Sequence, residues 1–168
     1  AVDDAVRVFT DGLAANRLMA MTVYERLATV GFTSVVAGNM YARGATRWLR
    51  PSLVNIARFT KGGNLFGMDA EEYDRAILEA LLNDLAQNGL PDLITMYFMG
   101  LDHESHLHGP ASQAAHLVNV IDPLVGELLA GMARIAGSPG LPNILLTAIF
   151  SDHGQIGVRA DDRHSLRI

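Results

Sequence analysis

The sequence predicts an α/β fold, a three-layer αβα arrangement around a mostly parallel sheet. Three observations carry that prediction. A helical segment passes through one glycine into a short β-branched run at 32–37 (FTSVVA). Two further apolar runs, 93–99 (LITMYFM) and 143–150 (NILLTAIF), are separated by a stretch of helical periodicity. The 168 residues are 49% hydrophobic and 18% charged, enough apolar side chain for a sizeable core. Alternation of strand and helix is the pattern of parallel sheets covered by helices on both faces.

The elements follow in order. Thr22-Val23-Tyr24-Glu25 is a capping box, in which hydroxyl and carboxylate three residues apart satisfy each other's backbone N–H. A helix is expected from there to about Val30, with Gly31 as its stop. The run 32–37 reads as a buried strand. Residues 38–67 hold Gly44, Gly62, Gly63 and Gly67 and the only tryptophan, Trp48, and read as mostly loop with one helical turn. The clearest helix spans 69–88: Asp69 is its N-cap and Glu72 lies three residues on. Tyr73, Ile77, Leu81 and Leu85 form one stripe, and Gly89 ends it. Residues 93–99, apolar on both faces, read as a central parallel strand. Ser112 is placed to cap the next helix, where Leu117, Ile121, Leu124, Leu128 and Met132 share a face and Pro123 introduces a kink. After a turn-rich loop at 137–142, residues 143–150 read as a second buried strand.

Composition excludes several classes of function. There is no cysteine, hence no disulfide framework, and any metal must be held by His, Asp and Glu. The net charge is −5 with no Lys/Arg run, which argues against a nucleic-acid groove driven by phosphate neutralisation. No apolar stretch in the sequence reaches the roughly 18 residues of a membrane span, and Ala1-Val2-Asp3-Asp4 does not open a signal peptide. The expectation is a soluble, mildly acidic single α/β unit over 1–168. The absence of cysteine is compatible with cytoplasm or periplasm, and nothing in the sequence fixes an oligomeric state.

Ligands of open α/β sheets bind at the carboxyl ends of the strands, and both polar clusters of the chain lie there. Strand 93–99 runs into Asp102-His103-Glu104-Ser105-His106, then Leu107-His108-Gly109-Pro110. Strand 143–150 runs into Ser151-Asp152-His153-Gly154. Carboxylates and imidazoles are ordinary ligands of divalent metals such as zinc. Asp102 and His106, four apart in an expected loop, can fold onto one ion. Asp152 and His153 are adjacent, and where the backbone turns they can serve two sites or straddle one. A lone Asp-His pair after a strand is more often a turn or cap element. Two such clusters, on the same expected sheet edge, raise the metal reading to near even odds. His116 and His164 read as surface or packing residues. Arg43, Arg47 and Arg50 could assist an anionic substrate, although solvated loop arginines are commoner.

At these residues the sequence resembles the alkaline phosphatase superfamily, closest to its type I phosphodiesterase/nucleotide pyrophosphatase branch. There an apolar strand leads into Asp-x-x-x-His followed by Gly-Pro, and a later strand into Ser/Thr-Asp-His-Gly. Here these are Asp102 to His106 with Gly109-Pro110, and Ser151 to Gly154. The resemblance covers about residues 20–160, and the helix-Gly-strand unit at 23–39 looks like the family's α/β repeat. It implies a hydrolase of phosphate esters with two divalent metal ions, zinc in kind. Asp102 and His106 would bind the first metal, Asp152 and His153 the second. The metals would bridge the phosphate of a small-molecule ester or nucleotide, one activating a Thr or Ser nucleophile and the other stabilising the leaving oxygen. A covalent phospho-enzyme would form and be attacked by water.

The family's nucleophile and another metal-binding Asp lie upstream, after a first strand. Asp3, Asp4, Thr10 and Asp11 stand upstream here, but none follows a buried strand. A third histidine ligand of the first metal belongs downstream, and the Asp-Asp-Arg setting of His164 does not match its motif. The chain is therefore expected to be a central segment of a larger catalytic domain, with its Thr or Ser nucleophile outside the 168 residues, inactive by itself. Sulfatase, phosphonate hydrolase and phosphoglycerate mutase of the same superfamily are alternatives, and Gly109-Pro110 favours the phosphodiesterase branch. A catalytically inert fragment or metal-binding module is the reading from another class.

Overall fold

In the computed structural model, the described residues are 19–39, 41–60, 67–137 and 146–156. Asp3, Asp4, Thr10, Asp11, His164 and the first part of the expected strand at 143–150 lie outside them. Three short parallel strands form the sheet, with β1 (Ser34–Ala37) between β2 (Arg47–Leu49) and β3 (Leu93–Met96). Val35 pairs with Arg47 on one side and with Ile94 on the other. Four helices of seven to nineteen residues frame it: α1 (Val23–Thr29), α2 (Leu53–Thr60), α3 (Ala70–Asn88) and α4 (Gly100–His108). A 3-10 turn at Pro110–Ser112 then leads through the one-turn α5 (Gln113–His116) and a π turn at Leu117–Ile121 into α6 (Asp122–Ile135).

Strand alternation sorts the core into two layers. Val35 and Ala37 face a cluster with Phe59 of α2, Tyr73, Ile77, Leu81 and Leu85 of α3, and Met132 of α6. Val36 faces the other way, onto Tyr24 of α1 and Ala42. Helices thus cover both faces of a parallel sheet, as the pattern predicts.

Both capping boxes form: Thr22 with Glu25, and Asp69 with Glu72. The α3 stripe is buried throughout, and Gly89 closes that helix at φ 79°, where a side chain would be strained.

Four expectations are corrected. Within 38–67 the described residues carry a three-residue strand and an eight-residue helix in place of the one helical turn expected. β2 forms because its backbone pairs with β1 and Trp48 Nε1 donates to Asn39 O at 2.9 Å. α2 starts where Ser52 Oγ accepts from Asn55 N, and it buries Ile56 and Phe59. Secondly, among the described residues the middle of the sheet is β1, fully buried, and β3 pairs with it on one side only and is half-buried. Thirdly, the described part of 143–150 is not a buried strand. Leu146, Ile149 and Phe150 are 90%, 76% and 86% exposed, and the backbone there joins no ladder. Apolar composition does not make a strand without a partner edge. Fourthly, Ser112 does not cap a helix. It sits in the 3-10 turn, and its hydroxyl donates to Gly109 O.

At the position of the kink expected for Pro123, the helix takes a π turn just before it. Pro123 has no N–H to close an α turn, and the wider turn accommodates that loss. Ile121, Leu124 and Met132 are buried, whereas Leu117 is 47% exposed. The helical run Pro110–Ile135, 26 residues, is long and apolar enough to cross a membrane by length and composition, where the sequence pattern gives no span. Those two properties alone do not make it one: α6 packs Met132 into the core beside α3.

Candidate functional site

The carboxyl edge of β3 opens into the polar cluster. Residues 102–106 stand on α4 rather than in the expected loop, so Asp102 and His106 share one helix face at i and i+4. His106 Nε2 lies 3.5 Å from Asp102 Oδ2. Glu104 and His108 form the other i,i+4 pair, at 2.8 Å. His103 leaves the cluster: its ring packs on Phe59, centroids 4.2 Å apart, and burial holds its imidazole below the usual range.

The start of α4 explains why these residues are helical. Its N-cap, Met99, gives no side-chain cap, so the first amides need a partner from elsewhere. Asp74 of α3 supplies it. Its Oδ1 accepts from Met99 N at 3.0 Å, and both oxygens accept from Gly100 N, at 3.2 and 3.1 Å. Asp74 is completely buried, and burial pushes its carboxyl up to about 7 although both amides favour the anion. Gly100 is required at this approach. A Cβ there would stand 2.4 Å from Asp74 Oδ2 and 2.8 Å from Ala70 O.

The second cluster comes to the same place. His153 Nε2 is 3.8 Å from Asp102 Oδ1 and 3.8 Å from Asp152 Oδ1, so Asp102 stands between the two histidines. Tyr97 lies just past β3; burial first, then the charges of Asp152 and Asp102, raise its phenol. Gln155 completes the join: its amide donates to Asp102 Oδ1, and Ser105 Oγ donates to its Oε1. Gln155 Nε2 is also 3.5 Å from His106 Nε2. Asp102 is 35% exposed in its side chain, and the other three site residues are 55–69% exposed, so the cluster opens to solvent.

All four residues singled out by sequence, Asp102, His106, Asp152 and His153, are therefore neighbours, although 146–150, the described part of the expected second strand, pairs with none of the three strands. They are close in pairs. Among the described residues, no three or more His, Asp or Glu side chains surround one common ion position. Asp74, Tyr97 and Gln155 were not anticipated. Asp74 had a readable signal, since it lies one turn from both Ala70 and Leu78 on the buried side of α3. Gln155 and Tyr97 had none, because only the fold brings them to Asp102 and Asp152.

The arginines have structural partners. Arg43 Nε donates to Glu25 Oε1 and Arg47 Nε to Asp84 Oδ2, each at 2.8 Å. Arg50 lies over the Trp48 ring at 4.0 Å.

The family model described as type I phosphodiesterase / nucleotide pyrophosphatase matches residues 10–167. The searches against curated proteins and against solved structures each gave no match.

Proposed function

The chain belongs to the type I phosphodiesterase/nucleotide pyrophosphatase family, and from that premise we propose that Asp102, His106, Asp152 and His153 are the metal-binding residues of a phosphate-ester hydrolase site. Family membership makes the activity class that of a phosphodiesterase- or nucleotide pyrophosphatase-type hydrolase. The two divalent ions, zinc in kind, and the ligand set are the finer part of the reading.

One observation supports it above the rest. Two motifs separated by 46 positions, from His106 to Asp152, meet with His153 Nε2 3.8 Å from Asp102 Oδ1. Two donors bound tetrahedrally to one zinc at ~2.0–2.2 Å lie ~3.4 Å apart. The 3.5 Å pair of His106 and Asp102 is near that spacing, and the 3.8 Å pairs need a small inward movement. Carboxylate oxygens and imidazole nitrogens suit the ion chemically. Exposure leaves open positions, as a catalytic site needs and a closed structural site does not.

The bound ions would neutralise the phosphate and polarise its oxygens. The chain's own residues do the positioning. Asp102 presents one oxygen toward each histidine. Arg43 and Arg47 are committed to Glu25 and Asp84, so the substrate's negative charge is met chiefly by the ions. The serines beside the cluster already use their hydroxyls: Ser105 on Gln155 Oε1 and Ser151 on His153 O. We therefore expect the 168-residue chain by itself to bind metal weakly and to turn over no substrate. The test is hydrolysis of an aryl phosphodiester with added zinc. Turnover by the 168 residues, abolished by Asp152→Ala, would contradict the inactivity. In any form of the protein that hydrolyses the ester, turnover unaffected by Asp102→Ala and Asp152→Ala would sink the ligand assignment.

A further inference from the structure

We infer that Asp74 is a positioning residue for the site: a buried carboxylate on α3 that anchors the start of α4 and thereby sets where Asp102 and His106 stand. The inference rests on the metal-site reading above for its functional meaning, but the anchor has its own evidence.

A helix leaves its first N–H groups without intrahelical partners, and a carboxylate near them is favoured by the helix dipole. Most helices meet this need locally. Both α1 and α3 do so, through Thr22 and Asp69. α4 does not, since Met99 provides no side-chain cap. Its first amides are met by Asp74, 25 and 26 positions earlier in the chain. Few cores keep a carboxylate buried unless its hydrogen bonds are made. Here they are made to the backbone amides at 99 and 100, with Gly100 clearing the approach. Asp102 follows Gly100 by two residues and His106 follows by one further turn, so any shift of the α4 start is passed directly to both. The contact also joins the site to the most buried helix of the molecule, whose Tyr73, Leu78, Leu81 and Leu85 are at most 1% exposed.

The experiment compares the full 168-residue chain with Asp74→Ala, Asp74→Asn and Ile77→Val by two readouts. Amide hydrogen exchange reports α4 directly, and equilibrium dialysis against zinc alone reports the site. For Asp74→Ala, exchange at residues 103–108 should rise at least tenfold relative to α3, and zinc affinity should fall at least tenfold. Asp74→Asn keeps one acceptor oxygen and should recover part of both. Ile77→Val, trimmed on the same helix without touching α4's amides, should leave zinc affinity within twofold. Unchanged α4 protection in a folded Asp74→Ala protein would overturn the anchor. Lost protection with unchanged zinc affinity would overturn the positioning role. If Asp74→Ala does not fold, Asp74→Asn is read against the same two criteria. A wild-type chain that takes up no zinc would count against the metal reading instead, leaving α4 exchange to decide the anchor.

Discussion

Burying a carboxylate with only backbone amides for company is costly, and Asp74 shows the cost in its titration. Its carboxyl is raised from an ordinary value of 3.8 to about 7, burial outweighing the amides of Gly100 and Met99. The sign follows from proton binding. Between those two values the folded state holds more protons than the unfolded chain, so this group's stabilisation is present below pH 4 and is lost as pH rises through 7. Asp74→Asn should remove that loss. Stability of wild type relative to Asp74→Asn, measured by urea unfolding from pH 4 to 8, should fall as pH rises, by an amount on the order of 4 kcal/mol. A difference that stays flat across the range would show that the group does not titrate there. At this scale the four metal-type residues were legible because their chemistry is rare in apolar surroundings. Gln155 was not, because an amide after Asp-His-Gly carries no signal until the fold sets it against Asp102.

Single helices carry the next scale, where two glycines give opposite expectations. Gly100→Ala places a Cβ 2.4 Å from Asp74 Oδ2, in a contact where neither backbone nor buried carboxylate can yield. It should cost about 2 kcal/mol or more. Gly126 lies in α6 with nothing within 4 Å of its missing Cβ, so Gly126→Ala should stabilise by about 0.5–1 kcal/mol through helix propensity. Thermal unfolding of the two variants checks both signs. α1 and α3 were readable to within a residue or two because their caps are local: hydroxyl or carboxylate, then Glu three residues on. α4 was read as loop for the converse reason. Its cap comes from another helix, and no local pattern at 99–102 announces it. β2 escaped for a similar reason, since three residues alone carry no periodicity and β1 supplies the pairing.

For the molecule as a whole, the α/β class and the two-sided covering of the sheet followed from alternation alone, and Val35 against Val36 shows that division in neighbouring residues. What alternation could not fix was which apolar run joins the sheet. Residues 34–37 are buried in the middle and 93–96 lie at an edge. Residues 146–150 stay exposed, held to the rest through Asp152, His153 and Gln155. The site therefore depends on polar contacts between a helix end and a segment outside the sheet. Gln155→Ala, which removes one of those contacts, should loosen the approach of 152–153 to α4 and weaken zinc uptake several-fold without lowering the cooperativity of unfolding.

If the site is as proposed, the two motifs make one metal centre. Zinc bound per chain, measured by dialysis on the 168-residue protein beside Asp102→Ala and Asp152→Ala, tests it most directly. The wild type should take up zinc saturably and each variant at least tenfold more weakly, because Asp102 faces both histidines and Asp152 faces His153. Zinc uptake equal in all three proteins, or absent from all, would contradict it.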